Sequence, residues 1–256
     1  MKKEKFRIDV LLVERGLAAT RQRAQAMIMA GQVRMNGQLA QKSSEAASSD
    51  AKIEITGADA KYASRAGMKL EGALADFAVD VTGCTCLDVG ASNGGFTDCL
   101  LQHGARRVYA VDVNTKQLDW KLQRDERVRA IKKNARFLKP ADLAEAPAVV
   151  TVDVSFISVT KLIAVLVAIA QPNATFIVLV KPQFELEKKL IGKGGIVRDA
   201  QLHQRAIASV RAAAEKAGLA ILGVQPSRVA GAEGNQEYFL HARRCDSIQS
   251  FELREP

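Results

Sequence analysis

The sequence predicts an α/β chain, a mostly parallel sheet covered by helices on both faces, preceded by a small α+β module. Three observations carry this. From residue 64 onward strand-like and helix-like segments alternate, as they do when helices cross over a parallel sheet. Residues 1–44 hold nine Lys or Arg against three acids, so +6 of the chain's net +9 sits at one end. Within that stretch two short helical patterns run into Asn36-Gly37, a dipeptide suited to a tight hairpin because both residues accept positive φ.

The elements follow in order. Val10 to Val13 lie in a short helix over 9–16 ended by Gly16. Thr20 caps a second helix over 21–30, whose Ala24, Met27 and Ile28 recur at helical spacing before Gly31 stops it. Val33-Arg34-Met35 enters the hairpin, 43–50 reads as a loop rich in Ser, Ala and acid, and 52–55 is a strand. Ser64 caps a helix reaching about residue 77. Strands follow at 84–89, 108–113, 128–132, 149–154, 175–180, 220–224 and 237–242, the last running antiparallel, with a helix from Gly95 through Leu101 after the first. This gives domains over 1–60 and 61–245 and a tail over 246–256.

Composition narrows the function. Of 256 residues, 48% are apolar and 25% charged, which excludes pervasive disorder. The longest aliphatic run, 162–170, is far short of the roughly 20 residues of a spanning helix. The start of the chain lacks an apolar secretory region, so a cytoplasmic location is expected. Cys84, Cys86, Cys99 and Cys245 form no Cys-x-x-Cys pair and have no histidine cluster nearby, so reduced thiols and no metal site are expected. The basic excess favours a polyanion, either nucleic acid or an acidic membrane surface.

The chemistry concentrates at strand ends. Cys86-Leu87-Asp88-Val89 runs into Gly90-Ala91-Ser92-Asn93-Gly94-Gly95-Phe96, where small residues let a ligand approach the backbone. G-x-G-x-x-G is not met, because Ser92 stands at its second glycine, so a dinucleotide pyrophosphate fits poorly. The run D-V-G-x-x-x-G-G resembles instead the first motif of S-adenosylmethionine-dependent methyltransferases, which implies cofactor contacts at Asp88, Gly90, Ala91, Ser92, Gly94, Gly95 and Phe96. Seven strands are also the count of that Rossmann-like methyltransferase sheet. Asp112 ends the second strand, where an acid can accept hydrogen bonds from both ribose hydroxyls. Asn134, after the third, is the candidate for the adenine side. Asp153 ends the fourth strand, and Lys181 ends the fifth, emerging from an apolar run where burial and a neighbouring carboxylate set its use as acid or base.

With Lys69 on the helix before the first strand and Glu237 in the last strand, these residues resemble the Lys-Asp-Lys-Glu tetrad of FtsJ-like RNA 2′-O-methyltransferases. Ser64-Arg65-Ala66-Gly67-Met68-Lys69-Leu70, Asp153-Val154-Ser155-Phe156-Ile157-Ser158, Lys181-Pro182-Gln183-Phe184-Glu185 and Gly194-Gly195-Ile196-Val197-Arg198-Asp199 carry a nearer resemblance to the TlyA-type hemolysin family. That family joins an S-four RNA-binding domain to this methyltransferase. Asn114-Thr115-Lys116 departs from it, standing where a small, glycine-containing turn is expected. The resemblance implies a ribosomal RNA (cytidine-2′-O)-methyltransferase using S-adenosylmethionine. Lys181 would take the proton from the ribose hydroxyl and Asp153 would hold Lys181. Lys69 would stabilise the oxyanion or a phosphate, and Glu237 would fix one lysine. Arg7-Ile8-Asp9, Arg15-Gly16-Leu17, Thr20-Arg21 and Asn36-Gly37 carry the S-four resemblance, which implies RNA contacts at Arg7, Arg15, Arg21 and Arg23. Two other readings stand beside this one: a non-catalytic ribosome-assembly factor that binds RNA, and a directly haemolytic membrane-active protein.

Overall fold

The computed structural model describes residues 5–18, 20–55, 61–231 and 234–245; the expected tail over 246–256 lies outside the described residues. The chain divides into two compact units, Met1–Met68 and Lys69–Pro256, later than the expected break after residue 60.

The first unit contains β1 (Lys5–Arg7), α1 (Ile8–Glu14), α2 (Arg21–Met29), β2 (Val33–Met35), β3 (Gln38–Leu39), β4 (Ala46–Ser48) and β5 (Ile53–Ile55). Ile8, Leu11 and Leu12 of α1 bury against Ala24, Met27 and Ile28 of α2 and Val33 of β2. Thr20 Oγ1 accepts from Arg23 N at 3.1 Å, the cap its position predicts. Asn36 and Gly37 take φ of 52° and 81°, and the β2–β3 hairpin closes across them. One expectation fails: 43–50 is not all loop, because β4 pairs antiparallel with β1, Phe6 opposite Ala47. The pairing buries Ala47 almost completely. Ala-Ala-Ser is weak in strand propensity, so the strand owes its existence to its partner rather than to its own sequence.

The second unit takes α3 (Ala66–Asp76), β6 (Thr85–Val89), α4 (Gly95–Gln102), β7 (Arg107–Asp112), α5 (Trp120–Arg124), β8 (Val128–Lys132), β9 (Val149–Val152), α6 (Thr160–Ile169), β10 (Thr175–Val180), α7 (Pro182–Glu185), α8 (Ala200–Lys216), β11 (Leu219–Pro226) and β12 (Tyr238–Arg244), α3 beginning just before the break. The sheet order is β11-β12-β10-β9-β6-β7-β8. All neighbours are parallel except β12, which runs antiparallel to both β10 and β11. The order reverses between β6 and β9, and open sheets bind ligands at the carboxyl ends of their strands beside such a switch.

Strand side chains alternate between faces. Leu87, Val89, Tyr109, Val111, Val150, Val152, Phe176, Val178, Val180, Leu240 and Ala242 share one core cluster with α6 and α8. The intervening residues face the other way, towards α3 and α4: Phe239 meets Phe96 of α4 at 6.2 Å between ring centroids, and His241 meets Phe77 at 5.0 Å. The same alternation sends Asp88, Asp153, Lys181 and Glu237 to that second face, under the helix that carries Lys69.

Candidate active site

Two ends expected inside strands fall just beyond them. Asp153 follows β9, and Glu237 precedes β12 instead of lying in it. Each still keeps a backbone bond at the functional edge, Asp153 N donating to Val89 O at 2.9 Å and Glu237 O accepting from Ser227 N at 2.8 Å. Because β12 returns antiparallel, its first residue Tyr238 pairs with Val180, the last of β10, so Glu237 and Lys181 stand one step past the same rung. In the same sheet Asp88 pairs with Thr151, which puts Gly90 level with Asp153.

Two ion pairs form there. Lys181 Nζ lies 2.5 Å from Asp153 Oδ1 and donates to Ser155 Oγ at 3.0 Å. Lys69 Nζ donates to Glu237 Oε2 at 2.6 Å. The side chains are 10% and 15% exposed in the first pair and 11% and 3% in the second, so neither is a solvated surface contact. Desolvating two ions costs about as much as their attraction returns, so buried pairs of this kind are poor devices for stability alone. Asp153 Oδ1, although beside the ammonium, receives no hydrogen bond of acceptable direction and is buried. The arrangement holds two amines and two carboxylates in fixed places beside the glycine turn.

The turn itself is built by backbone bonds. Gly90 N and Ala91 N donate to Val111 O at 2.9 and 3.1 Å, and Gly94 N to Ala91 O at 2.7 Å. Gly90 has φ of 86°, and a Cβ there would sit 2.2 Å from Asp153 O, so glycine is required by conformation and by space together. Asp112 ends β7 with each oxygen accepting one backbone N–H, from Ser92 and Asn114, both at 2.9 Å. Its carboxylate thus stands against the turn, half-buried at the crevice, with lone pairs left over. Asn134 is exposed, and its Oδ1 accepts from Arg136 N at 3.1 Å.

The Asp88 side chain lies beneath the turn rather than in the crevice. It is wholly buried, its Oδ2 accepts from Thr97 Oγ1 at 2.6 Å, and Thr151 Oγ1 lies 3.4 Å from Oδ1, so it braces the start of α4 from beneath the turn. Phe96 likewise packs inside, against Phe239. Burial pushes the Asp88 carboxyl up to about 7, with the Asp153 charge adding to the rise and the Thr97 hydrogen bond opposing it. A raised carboxyl favours folding only while it keeps its proton. The unfolded chain ionises near pH 4, so stability should fall by a few kcal/mol as pH rises from about 4 through about 7. Asp88→Asn should flatten that fall in denaturant titrations; parallel wild-type and mutant profiles would count against it.

Sequence reasoning left two residues of this site without a role. Ser155 accepts from Lys181, and Glu185 accepts from Ser158 Oγ at 2.6 Å and Val159 N at 2.9 Å. Neither has a signal beyond its place in a matched stretch.

In the first unit, Arg7 and Arg21 are drawn onto the fully buried Asp9. Arg7 bonds it through Nε and Nη2 and Arg21 through Nε, all at 3.0 Å, with Gln25 Nε2 at 2.8 Å. The Arg7 hydrogen bonds hold the Asp9 carboxyl well below the usual carboxylate range. Arg15 donates to Ala51 O and Ser49 O, both at 2.6 Å, and so fastens the turn before β5. Arg23 stands exposed on α2. Among the described residues no group of three His, Cys, Asp or Glu could hold a metal ion.

Residues 62–244 match the family described as FtsJ-like methyltransferase. The chain belongs to that family. Residues 6–52 of this methyltransferase match the S4 domain. It is 43% identical to the 16S/23S rRNA (cytidine-2′-O)-methyltransferase TlyA of Mycobacterium tuberculosis, over 93% of this chain and 89% of that one. It is 39% identical to Hemolysin A of Brachyspira hyodysenteriae, over 92% of this chain and 99% of that one. The solved structure of a candidate hemolysin from Streptococcus thermophilus superposes with a TM-score of 0.75 at 40% identity, covering 95% of this chain and 90% of that one.

Proposed function

We propose that this methyltransferase moves the methyl group of S-adenosylmethionine to a ribose 2′-hydroxyl of ribosomal RNA, at a cytidine, in the cytoplasm. The observation that carries the reading is the Lys181–Asp153 pair, buried beside Gly90 at the strand switch, with Lys69–Glu237 on the same sheet face. The activity named for the Mycobacterium tuberculosis relative supports the substrate.

The crevice suits the cofactor. A turn of backbone and small side chains at Gly90, Ala91, Ser92, Gly94 and Gly95 fits the amino-acid moiety, the half-buried Asp112 fits the ribose hydroxyls, and Asn134, exposed after β8, would take the adenine side. When bound, the cofactor supplies an electrophilic methyl on a sulfonium.

The chain supplies the rest. A ribose hydroxyl is a weak acid, so it must be aligned and lose its proton as its oxygen takes the methyl. Lys181, when uncharged, takes that proton on Nζ. Asp153 and Ser155 hold the amine in one direction, and the neighbouring carboxylate steadies the ammonium that results. Lys69 offers positive charge to the developing oxyanion or an adjacent phosphate, and Glu237 keeps its amine in place. The basic S4 unit brings the RNA, through phosphates that Arg7, Arg21 and Arg23 meet. Arg15, spent on carbonyls, serves the fold of that unit.

Isothermal titration with S-adenosylmethionine separates this enzyme from a non-catalytic assembly factor: micromolar binding is expected, and no binding contradicts it. Direct haemolysis by helices would need one that crosses a membrane, and among the described residues none is long and apolar enough. For the RNA side, Arg23→Gln should weaken ribosomal RNA binding whatever the sequence and lower the slope of log K against log salt by about one. An unchanged slope would remove Arg23 from the interface.

A further inference from the structure

Two loops build the Lys181 end of the site, and they are joined at more than one place. One runs from Asp153 at the end of β9 to Val159 at the start of α6; the other is the turn of α7 that begins after Lys181 and ends at Glu185. The near rung is Lys181 on Asp153 and Ser155. The middle rung is Phe156 against Phe184, with ring centroids 5.3 Å apart. The far rung is Glu185, whose Oε2 accepts from Ser158 Oγ at 2.6 Å and whose Oε1 accepts from Val159 N at 2.9 Å.

The far rung places a carboxylate in a partly desolvated position. Glu185 has no ion pair among the described residues, and burial pushes its carboxyl above the usual range, with the two hydrogen bonds opposing the rise. An uncompensated half-buried carboxylate is expensive, and a neutral side chain would fasten two loops at lower cost. The segment it fastens also carries strain: Phe156 is 93% exposed with φ of 67°, a backbone state costly for a bulky residue unless its surroundings impose it.

Given the methyl-transfer reading above, we infer that Glu185 is a positioning residue: by clasping Ser158 and Val159 it holds the 153–159 loop against α7, and so sets the place of the Lys181 amine relative to Asp153 and Ser155. It acts through those residues and touches no reacting atom. Ser158 belongs to the same device, its Oγ lying 2.6 Å from Thr160 Oγ1 at the start of α6.

The full-length protein and its E185A, E185Q and S158A variants test this in two ways. The first is the split between kcat and cofactor affinity in ribosomal RNA methylation. E185A should lower kcat about 100-fold, since a misplacement of about 1 Å costs that much, while cofactor affinity stays within about two-fold. E185Q should stay within a few-fold of wild type, because its amide oxygen accepts from Val159 N and its amide nitrogen can donate to Ser158 Oγ. S158A, losing one bond of two, should fall between.

The second readout needs no turnover: the rate at which acetic anhydride labels Lys181, followed by peptide mass spectrometry, with Lys69 as internal reference. Labelling of Lys181 should rise several-fold in E185A and stay at the wild-type level in E185Q, with Lys69 unchanged in both. Wild-type kcat and wild-type labelling in E185A would overturn the inference, as would equal losses in E185A and E185Q. If E185A fails to fold, S158A decides by the same two readouts: raised labelling supports the clasp, and unchanged labelling together with unchanged kcat overturns it. Wild-type protein that binds RNA and cofactor but transfers no methyl would defeat the functional reading alone, and the labelling would still decide the role of Glu185.

Discussion

Lys181→Ala is expected to lower methyl transfer to ribosomal RNA by about a thousand-fold, within the range a lost general base gives. The Lys181 side chain is 10% exposed, its amine is aimed at Asp153 and Ser155, and the residue follows the last one of β10 at the crevice. Nothing about it contacts the glycine turn through a hydrogen bond, so cofactor affinity by titration should stay within a few-fold of wild type. Removing the amine leaves the Asp153 carboxylate half-buried without its cation, which costs stability as well. Rates should therefore be compared at a temperature where both proteins are fully folded. Lys181→Arg should rescue the fold and not the rate, because a guanidinium keeps the charge and cannot give up its proton at neutral pH. Wild-type turnover in either variant would remove Lys181 from the chemistry.

Gly90→Ala is the second large effect, and it reaches both fold and cofactor. The new Cβ would lie 2.2 Å from Asp153 O, a backbone atom that cannot move aside unless β6 and β9 part. A φ of 86° adds about 1–2 kcal/mol for any L side chain. Together these should cost about 3 kcal/mol or more, lowering Tm by roughly 6–12 °C in a chain of this size. Parting the strands also disturbs Asp153, so cofactor binding and turnover should fall together, unlike in Lys181→Ala. An alanine variant with unchanged Tm and unchanged affinity would mean the turn is looser than its geometry states.

Much of this was legible in the sequence, for physical reasons that differ by element. Fully buried strands such as 175–180 announce themselves because both faces need apolar side chains, and Thr20 and Asn36-Gly37 announce themselves because few residues satisfy a helix start or a two-residue turn. Asp153 and Lys181 stood out as charges ending apolar runs, whereas Lys69 and Glu237 were found only through the resemblance to the FtsJ-like tetrad. Asp153 was expected to hold Lys181, and the parallel pairing of β9 with β10 sets their two ends side by side. Which lysine Glu237 takes was open in the sequence, because its meeting with Lys69 depends on β12 returning antiparallel beside β10, a long-range pairing with no local trace. The β1–β4 pair was missed because three-residue strands carry too few side chains for a pattern. Asp88 read as a ligand residue by its place in the glycine run, whereas strand alternation turns its carboxyl inward to Thr97. Arg7 and Arg21 read as RNA contacts through the S-four resemblance, and the buried Asp9 that gathers them looked like an ordinary acid on a short helix.

The most direct test of the central claim is to incubate the full-length protein with ribosomal subunits and methyl-labelled S-adenosylmethionine, then map ribose 2′-O-methylation across the RNA. The converging amines and carboxylates predict label at the 2′-oxygen of one or a few cytidines, absent with Lys181→Ala. Label on base nitrogens or carbons, or no transfer despite cofactor and RNA binding, would contradict it.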